Sequence, residues 1–176
     1  PMRRRRFLAM FVAGTALNIG AALAQPRRPL IVVLMHGKES ALRSRVDGLN
    51  EGLRELGYIE GRNYRMEVRW SDNQVDRLPA LARELLAKKP DVAVGAPVLA
   101  AQAFHRESRT VPIVIANGAG AQRLGLIASL AHPGGNVTGI ENQLDELSAK
   151  QFEFLKEIVP NAKRVMTLSS GLGAAE

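Results

Sequence analysis

The stretch from Val111 to Ile140 places the strongest constraint on the fold of this chain. It begins with a short apolar run, Ile113–Ala116, continues through a small-residue loop, Asn117–Gln122, and ends with a β-rich run, Val137–Ile140. An amphipathic segment, Leu124–Leu130, and a Pro-Gly-Gly turn lie between them. Apolar runs bounded by turn residues predict strands, and two strands that flank a helix predict a parallel β-α-β unit. The loop at the carboxyl end of the first strand then faces a ligand.

The residues upstream repeat this alternation of buried strand and helix. The continuous apolar run Pro29–Met35 predicts a strand that is covered on both faces. Apolar residues then recur at spacings of three and four up to Leu56, which predicts a helix that Gly57 closes. Tyr64 and Trp70 bound a run in which apolar and charged residues alternate, as expected of an edge strand. Both aromatic residues are interpreted as core, with stacking on a ligand as the alternative.

A further strand and two helices complete the upstream part. Asp76 is predicted to cap a leucine-rich helix, with Pro79 in its first turn. Val92–Val94 is the next buried strand, and the chain then turns at Gly95-Ala96-Pro97 into a helix that runs to about Glu107. The predicted fold class is therefore α/β, a three-layer parallel sheet flanked by helices.

Several segments resemble one family of proteins. The segments GLNEGLRELGYIEGRN, DRLPALARELLAKKPDVAVG, GLIASLAHPGGNVTGI and LSAKQFEFLKEIVPNAKRV resemble the periplasmic substrate-binding proteins of bacterial ABC transporters, in the tryptophan-binding-like group. The resemblance implies the type I periplasmic binding protein fold, in which two similar α/β lobes enclose a ligand. It covers nearly all of the chain after residue 24, although 176 residues are too few for both lobes.

The resemblance also implies a division of the chain. Residues 25–143 would form the amino-terminal ligand-binding lobe, with a hinge near Glu141–Asp145. Residues 144–176 would begin the second lobe with an amphipathic helix, Leu144–Val159, and a strand, Arg164–Leu168. One helix and one strand cannot bury a core, so this second part is expected to be incomplete.

The first 24 residues have the pattern of a signal peptide. Arg3–Arg6 supply a basic segment, Phe7–Leu17 supply an apolar core, and Ala22-Leu23-Ala24 matches a cleavage site before Gln25. The apolar core is too short to span a membrane, so no stable membrane insertion is expected after cleavage. The order Arg4-Arg5-Arg6-Phe7-Leu8 also fits a twin-arginine signal, which leaves the Sec and twin-arginine routes open. The expected location is the periplasm.

Composition and motifs exclude several classes of chemistry. The chain has no cysteine, which removes thiol catalysis, thiolate metal sites and disulfides. Without Arg3–Arg6, 20 basic residues face 17 acidic ones, and this weak, dispersed charge does not predict nucleic-acid binding. No nucleophile elbow or metal-ligand spacing is present. We therefore expect no enzyme activity, no catalytic residue, no metal site and no cofactor.

The histidines and the glycine-rich loop differ in what they indicate. His105 and His132 are predicted to be surface residues at helix ends, whereas His36 ends a buried strand where a parallel sheet presents its ligand. Around Gly118, the loop lacks the third glycine of a dinucleotide fingerprint and the lysine of a P-loop. Its free amides are suited instead to a ligand carboxylate.

The function expected from the sequence is solute binding for an ABC import system. The protein would capture an amino acid or related carboxylate between its lobes and deliver it to a membrane permease. The expected ligand contacts are His36, Gly37, Ala96, Pro97, Asn117, Gly118 and Glu141. Two alternatives remain: an extracytoplasmic sensor domain, and a flavodoxin-like or Rossmann-type enzyme on the same sheet.

Overall fold

The structure, a computed structural model, describes residues 27–142 and 144–166. The predicted signal peptide and the end of the strand predicted over Arg164–Leu168 lie outside these residues. The strands are β1 (Leu30–Met35), β2 (Arg65–Trp70), β3 (Val92–Ala96), β4 (Ile113–Ile115) and β5 (Val137–Gly139). The helices are α1 (Glu39–Glu55), α2 (Leu78–Ala87), α3 (Val98–Glu107) and α4 (Leu144–Ile158).

The five strands form one sheet in the order β2-β1-β3-β4-β5. Every neighbouring pair is parallel, as the sequence predicts. β2 lies at an edge, in agreement with its alternating apolar and charged residues. The chain therefore winds outward from β1 in one direction to β2 and in the other through β3, β4 and β5.

One face of the sheet is closed by α2 and α3. Its core is built from strand residues that point to this face and from the apolar sides of the two helices, including Leu30, Val32, Leu34, Ala93, Ile113, Val137, Leu78, Leu85 and Phe104, each at most 2 % exposed. Three residues of the loop between β4 and β5, Leu124, Leu126 and Ile127, pack against the same core. This face is the main hydrophobic core of the described chain.

The other face of the sheet is covered less completely. α1 packs against it through Leu42, Val46 and Leu49. Beside α1, Val92 and Val114 on this face remain half-buried. Strands with apolar residues on both faces are typical of sheets that are covered on both sides. Since these two valines are only half-buried, the described residues leave this face partly open.

The end of α1 follows the predicted pattern. Gly57 has a φ of 85°, which a glycine adopts without a steric penalty. The amide of Tyr58 donates to the carbonyl of Leu53 at 2.8 Å, and the amide of Gly57 donates to that of Arg54 at 2.9 Å. These two bonds form a Schellman motif, which satisfies carbonyls that the helix end leaves free.

The structure assigns the two aromatic residues of the β2 region to different environments. Tyr64 is 1 % exposed, and its hydroxyl donates to the Oδ1 of Asn50 at 2.7 Å. Its interpretation as core is therefore confirmed. Burial raises the pKa of the Tyr64 phenol, and the charge of Glu60 adds to the effect. Trp70 is half-buried and packs with Met66 and Val68 under α1.

Three local predictions were wrong. No helix forms over Leu124–Leu130, where the chain makes irregular turns and Gly125 has a φ of 68°. Asp76 makes no capping hydrogen bond, because residues 75–77 form a 3-10 turn that leads into α2, although Pro79 lies in the first turn as expected. Arg164–Met166 is not a strand, since no described segment pairs with it.

Candidate functional site

The carboxyl ends of the strands bring most of the predicted ligand contacts to one edge of the sheet. The order β2-β1-β3-β4-β5 reverses its direction between β1 and β3. In open α/β sheets, the loops on either side of such a switch point form a crevice that binds ligands. Here these loops are His36-Gly37 after β1 and Ala96-Pro97 at the end of β3.

Main-chain and side-chain bonds fix the loop after β1. The amide of His36 donates to the carbonyl of Ala96 at 2.7 Å, which joins the two sides of the switch point. The Nδ1 atom of His36 lies 2.7 Å from the Oγ of Ser71, a residue that is fully buried after β2. The amide of Asp72 donates to the carbonyl of Gly37 at 3.0 Å. The loops after β1 and β2 are thus held together as one surface.

The loop after β4 lies against the start of α3. A Cβ atom at Gly118 would come within 3.0 Å of the backbone nitrogen of Val98, the first residue of α3. Only glycine allows this approach, so Gly118 is required by packing. α3 follows Pro97, which provides no side-chain cap, and the first amides of a helix lack partners within the helix. The edge therefore combines amides at the start of α3 with the backbone of residues 117–118.

The segment after β5 is tied to this loop. The amide of Asn142 donates to the carbonyl of Gly118 at 2.6 Å, and its Nδ2 donates to the Oδ1 of Asn117 at 2.8 Å. The Oε1 of Glu141 accepts a bond from the amide of Ala121 at 2.9 Å. Glu141 therefore holds the backbone of the loop, and its Oε2 is buried without a hydrogen-bond partner.

A cavity of about 460 Å³ opens beside α1 and reaches this edge. Its floor is apolar and consists of Val33, Met35, Val94 and Ala96 from the sheet, with Val46 and Leu49 from α1. Its polar groups come from Arg45, Asn117 and Asn142. Small-molecule sites usually enclose about 300–1,000 Å³ and combine an apolar wall with a few polar groups, which this cavity does.

The cavity contains both predicted and unpredicted residues. Ala96 and Asn117 line it, whereas His36, Gly37, Pro97, Gly118 and Glu141 do not belong to its lining. Arg45, Asn142 and the buried Ser71 were not predicted from the sequence. Asn142 could have been found, because it follows β5 just as Asn117 follows β4. Arg45 directly precedes a buried residue of α1, and nothing in the sequence around it indicates that its side chain lines a cavity.

His105 lies at the far end of α3 and is buried, so its prediction as a surface residue was wrong. Several alanines and Phe104 of the same helix are buried as well, and the Nε2 of His105 contacts Arg109. Burial lowers the pKa of His105, and the positive charge of Arg109 lowers it further, while Asn136 opposes both. His132 is exposed, as predicted.

Metal sites and membrane spans are both absent from residues 27–142 and 144–166. No three His, Cys, Asp or Glu side chains in this part of the chain lie close enough together to hold a metal ion. None of the helices described is both long and apolar enough to pass through a membrane.

The sheet and its carboxyl edge match a known family of proteins. The model of the ABC transporter substrate binding protein family matches residues 30–175. The chain belongs to this family. The match begins at the first residue of β1 and includes every strand and helix of the described structure.

The relatives of this ABC substrate-binding family member include one protein named for an amino acid and one solved in complex with an amino acid. The chain is 27 % identical over 118 residues to a tyrosine-binding protein of Clostridioides difficile, in a match that covers 67 % of this chain and 34 % of that protein. A solved ABC domain from Streptococcus pneumonia, in complex with L-Trp, is 26 % identical with a TM-score of 0.64, over 76 % of this chain and 44 % of that one. A conserved domain protein from Vibrio cholerae is 29 % identical with a TM-score of 0.66, over 77 % and 45 %. The chain thus spans less than half the length of these relatives.

Proposed function

We propose that this chain carries the amino-terminal ligand-binding lobe of a solute-binding protein for an ABC import system. The observation that carries the proposal is the family match over residues 30–175, which takes in the whole sheet and the edge described above. In the complete protein, this lobe and a second one would enclose a small molecule and present it to a membrane permease. Residues 25–143 would form the first lobe, and α4 would begin the second.

The proposed ligand contacts lie along the carboxyl edge of the sheet. His36, Gly37, Ala96 and Pro97 flank the switch point, and Asn117 and Gly118 follow β4. Glu141, which the sequence also indicated, follows β5 and would act on the ligand through the loop that its Oε1 holds. Amides at the start of a helix favour an anion, so the start of α3 is suited to a carboxylate.

The proposed ligand is an amino acid or a related small carboxylate. Two relatives support this class, since one is named a tyrosine-binding protein and the other was solved with L-Trp. The apolar floor of the cavity, with Val33, Met35 and Val94, would receive an apolar or aromatic side chain. The polar groups of Asn117 and Asn142 at its mouth would receive the polar end.

The remaining parts of the proposal concern location and chemistry. Residues 1–24 would direct export to the periplasm, with cleavage after Ala24. The binding role requires no catalytic residue, metal or cofactor, because capture and release neither form nor break a covalent bond. It also requires no nucleic acid and no membrane insertion of the mature protein.

The test is calorimetric titration of the complete protein with L-tryptophan, L-tyrosine, L-leucine and L-lactate. We expect micromolar binding of at least one of the amino acids. The variant Asn117→Ala should weaken it about tenfold or more, the effect of losing one well-placed hydrogen bond in a closed site. The control is Asn161→Ala, whose side chain is exposed beyond α4. Absence of binding by the wild type to all four compounds would refute the proposed ligand class.

A further inference from the structure

Glu141 has an unusual pair of environments for its two carboxylate oxygens. The Oε1 accepts the hydrogen bond from the amide of Ala121 at 2.9 Å, across a separation of 20 residues. The Oε2 is buried and has no hydrogen-bond partner. A buried acceptor without a partner carries a free-energy cost, so a carboxylate in this place calls for an explanation.

The environment of Oε2 argues against direct contact between Glu141 and a ligand in this conformation. The atom is shielded from solvent, and a ligand nitrogen would need the same access as water. Glu141 is also absent from the lining of the cavity beside α1. The contact that the structure does show is the bond from the amide of Ala121, in the loop after β4, to Oε1.

Asn142 adds two further bonds between the same two segments. Its amide donates to the carbonyl of Gly118 at 2.6 Å, and its Nδ2 donates to Asn117 at 2.8 Å. Residues 117–121 are therefore held to residues 141–142 at three points. Just before them, the amide of Ile140 donates to the carbonyl of Ile115 at 2.9 Å and extends the pairing of β4 with β5.

We propose that Glu141 and Asn142 are positioning residues that join the ligand-facing loop after β4 to the segment through which the chain leaves the lobe. A ligand that contacts Asn117 would then act on residues 141–142 through the Asn117–Asn142 bond. Loop and exit segment would move together when the lobes close. The effect on affinity rests on the proposed function, whereas the connection itself rests only on the three bonds.

The contacts make a specific prediction about glutamine at this position. Glu141→Gln keeps an oxygen that can accept from Ala121, and it replaces only the oxygen that lacks a partner. Glu141→Ala removes the acceptor. We therefore expect Gln to preserve the positioning of the loop and Ala to abolish it. A direct contact with a ligand ammonium group would give the opposite result for Gln, because that contact depends on charge.

The experiment compares wild type, Glu141→Gln, Glu141→Ala and Asn142→Ala in the complete protein. Amide hydrogen exchange at Ala121 reports the connection, and titration with L-tryptophan and L-tyrosine reports affinity. We expect Glu141→Ala to speed the exchange of the Ala121 amide by roughly ten- to a hundredfold, the range for losing a bond to a charged acceptor. Affinity should fall about tenfold in Glu141→Ala and Asn142→Ala and stay near that of wild type in Glu141→Gln. Glu55→Ala, exposed on α1, is the matched control.

The outcomes separate this inference from the proposed function. Unchanged exchange at Ala121 in Glu141→Ala would overturn the inference, as would a Gln variant that binds as weakly as the Ala variant. Should Glu141→Ala fail to fold, Asn142→Ala still decides, because its side chain is exposed. Unchanged exchange of the amide at position 142, which donates to the carbonyl of Gly118, would then overturn the inference. Faster exchange in a protein that binds neither amino acid would refute the proposed function and support the connection.

Discussion

The Nδ1 atom of His36 lies 2.7 Å from the Oγ of Ser71, and this bond joins the loops that follow β1 and β2. His36 is half-buried and Ser71 is fully buried, so the bond is partly shielded from water. The sequence indicated His36 as a residue at a ligand-binding edge. The structure adds that its orientation depends on a serine 35 residues away.

Ser71→Ala should therefore lower the free energy of unfolding by about 1 kcal/mol, the usual net effect of one buried hydrogen bond. Urea denaturation measures the change. Ser44→Ala on the exposed side of α1 is the control and should stay within about 0.5 kcal/mol of wild type. Equal stability of the two variants would mean that the His36–Ser71 bond contributes nothing to folding.

Leu85→Ala should destabilise the chain by roughly 2–5 kcal/mol, because Leu85 is fully buried between α2 and the sheet and its removal leaves a cavity. Leu56→Ala makes the same chemical change at a residue that is 76 % exposed. We expect less than about 0.5 kcal/mol there. Denaturant unfolding of both variants checks the difference, and a small effect at Leu85 would contradict the described core.

Two glycine-to-alanine changes should have opposite signs. A Cβ at Gly95 in β3 would come within 3.0 Å of the backbone nitrogen and Cα of Ala101 in α3, so Gly95→Ala should cost about 1–3 kcal/mol or more. Gly52 lies in an exposed part of α1, where an added methyl group would meet no atom within 4 Å, so Gly52→Ala should stabilise by roughly 0.5–1 kcal/mol. Thermal unfolding distinguishes them, and a neutral Gly95→Ala would show that α3 packs less closely on β3.

The burial of His105 predicts a pH dependence of stability. Burial and Arg109 lower its pKa in the folded chain, whereas in the unfolded chain it titrates near its ordinary value of about 6.5. The unfolded state therefore binds the proton first as the pH falls. The contribution of neutral His105 to the free energy of unfolding is fully present above about pH 7. It is lost as the pH falls through about 6.5 toward the lower pKa of the folded state.

The measurement is urea denaturation at intervals between about pH 8 and pH 5, a range that spans the ordinary pKa of histidine. His105→Gln should show a flatter dependence on pH than wild type, because the residue no longer titrates. His132→Gln changes an exposed histidine and should keep the wild-type dependence. Identical profiles for wild type and His105→Gln would contradict the assigned burial.

The sequence predicted the sheet well because each strand carries its own signal. β1 and β4 are continuous apolar runs, and both proved to be interior strands with neighbours on each side. The helix predicted over Leu124–Leu130 failed for an identifiable reason. The apolar spacing of Leu124, Leu126 and Ile127 reports burial against the core, and an irregular loop satisfies that requirement as well as a helix does. Gly125 favours the turn.

The candidate site was only partly predictable, because its residues come together through tertiary packing. Asn117 could be named, since the end of a parallel strand is a known position for ligand contact. Arg45 could not, because its place at the cavity depends on how α1 crosses the sheet. His105 was misassigned because the alanine-rich α3 gives little periodicity, so the sequence does not show which of its residues are buried.

The unequal covering of the two faces of the sheet determines which substitutions the strands can tolerate during evolution. In β4, Ile113 and Ile115 are enclosed on the side of α2 and α3, while Val114 between them looks toward the side that α1 leaves partly open. A polar replacement at either isoleucine would bury an unpaired group, whereas the same replacement at Val114 would retain access to water. Among these three consecutive positions, Val114 should therefore accept a wider range of amino acids than Ile113 and Ile115.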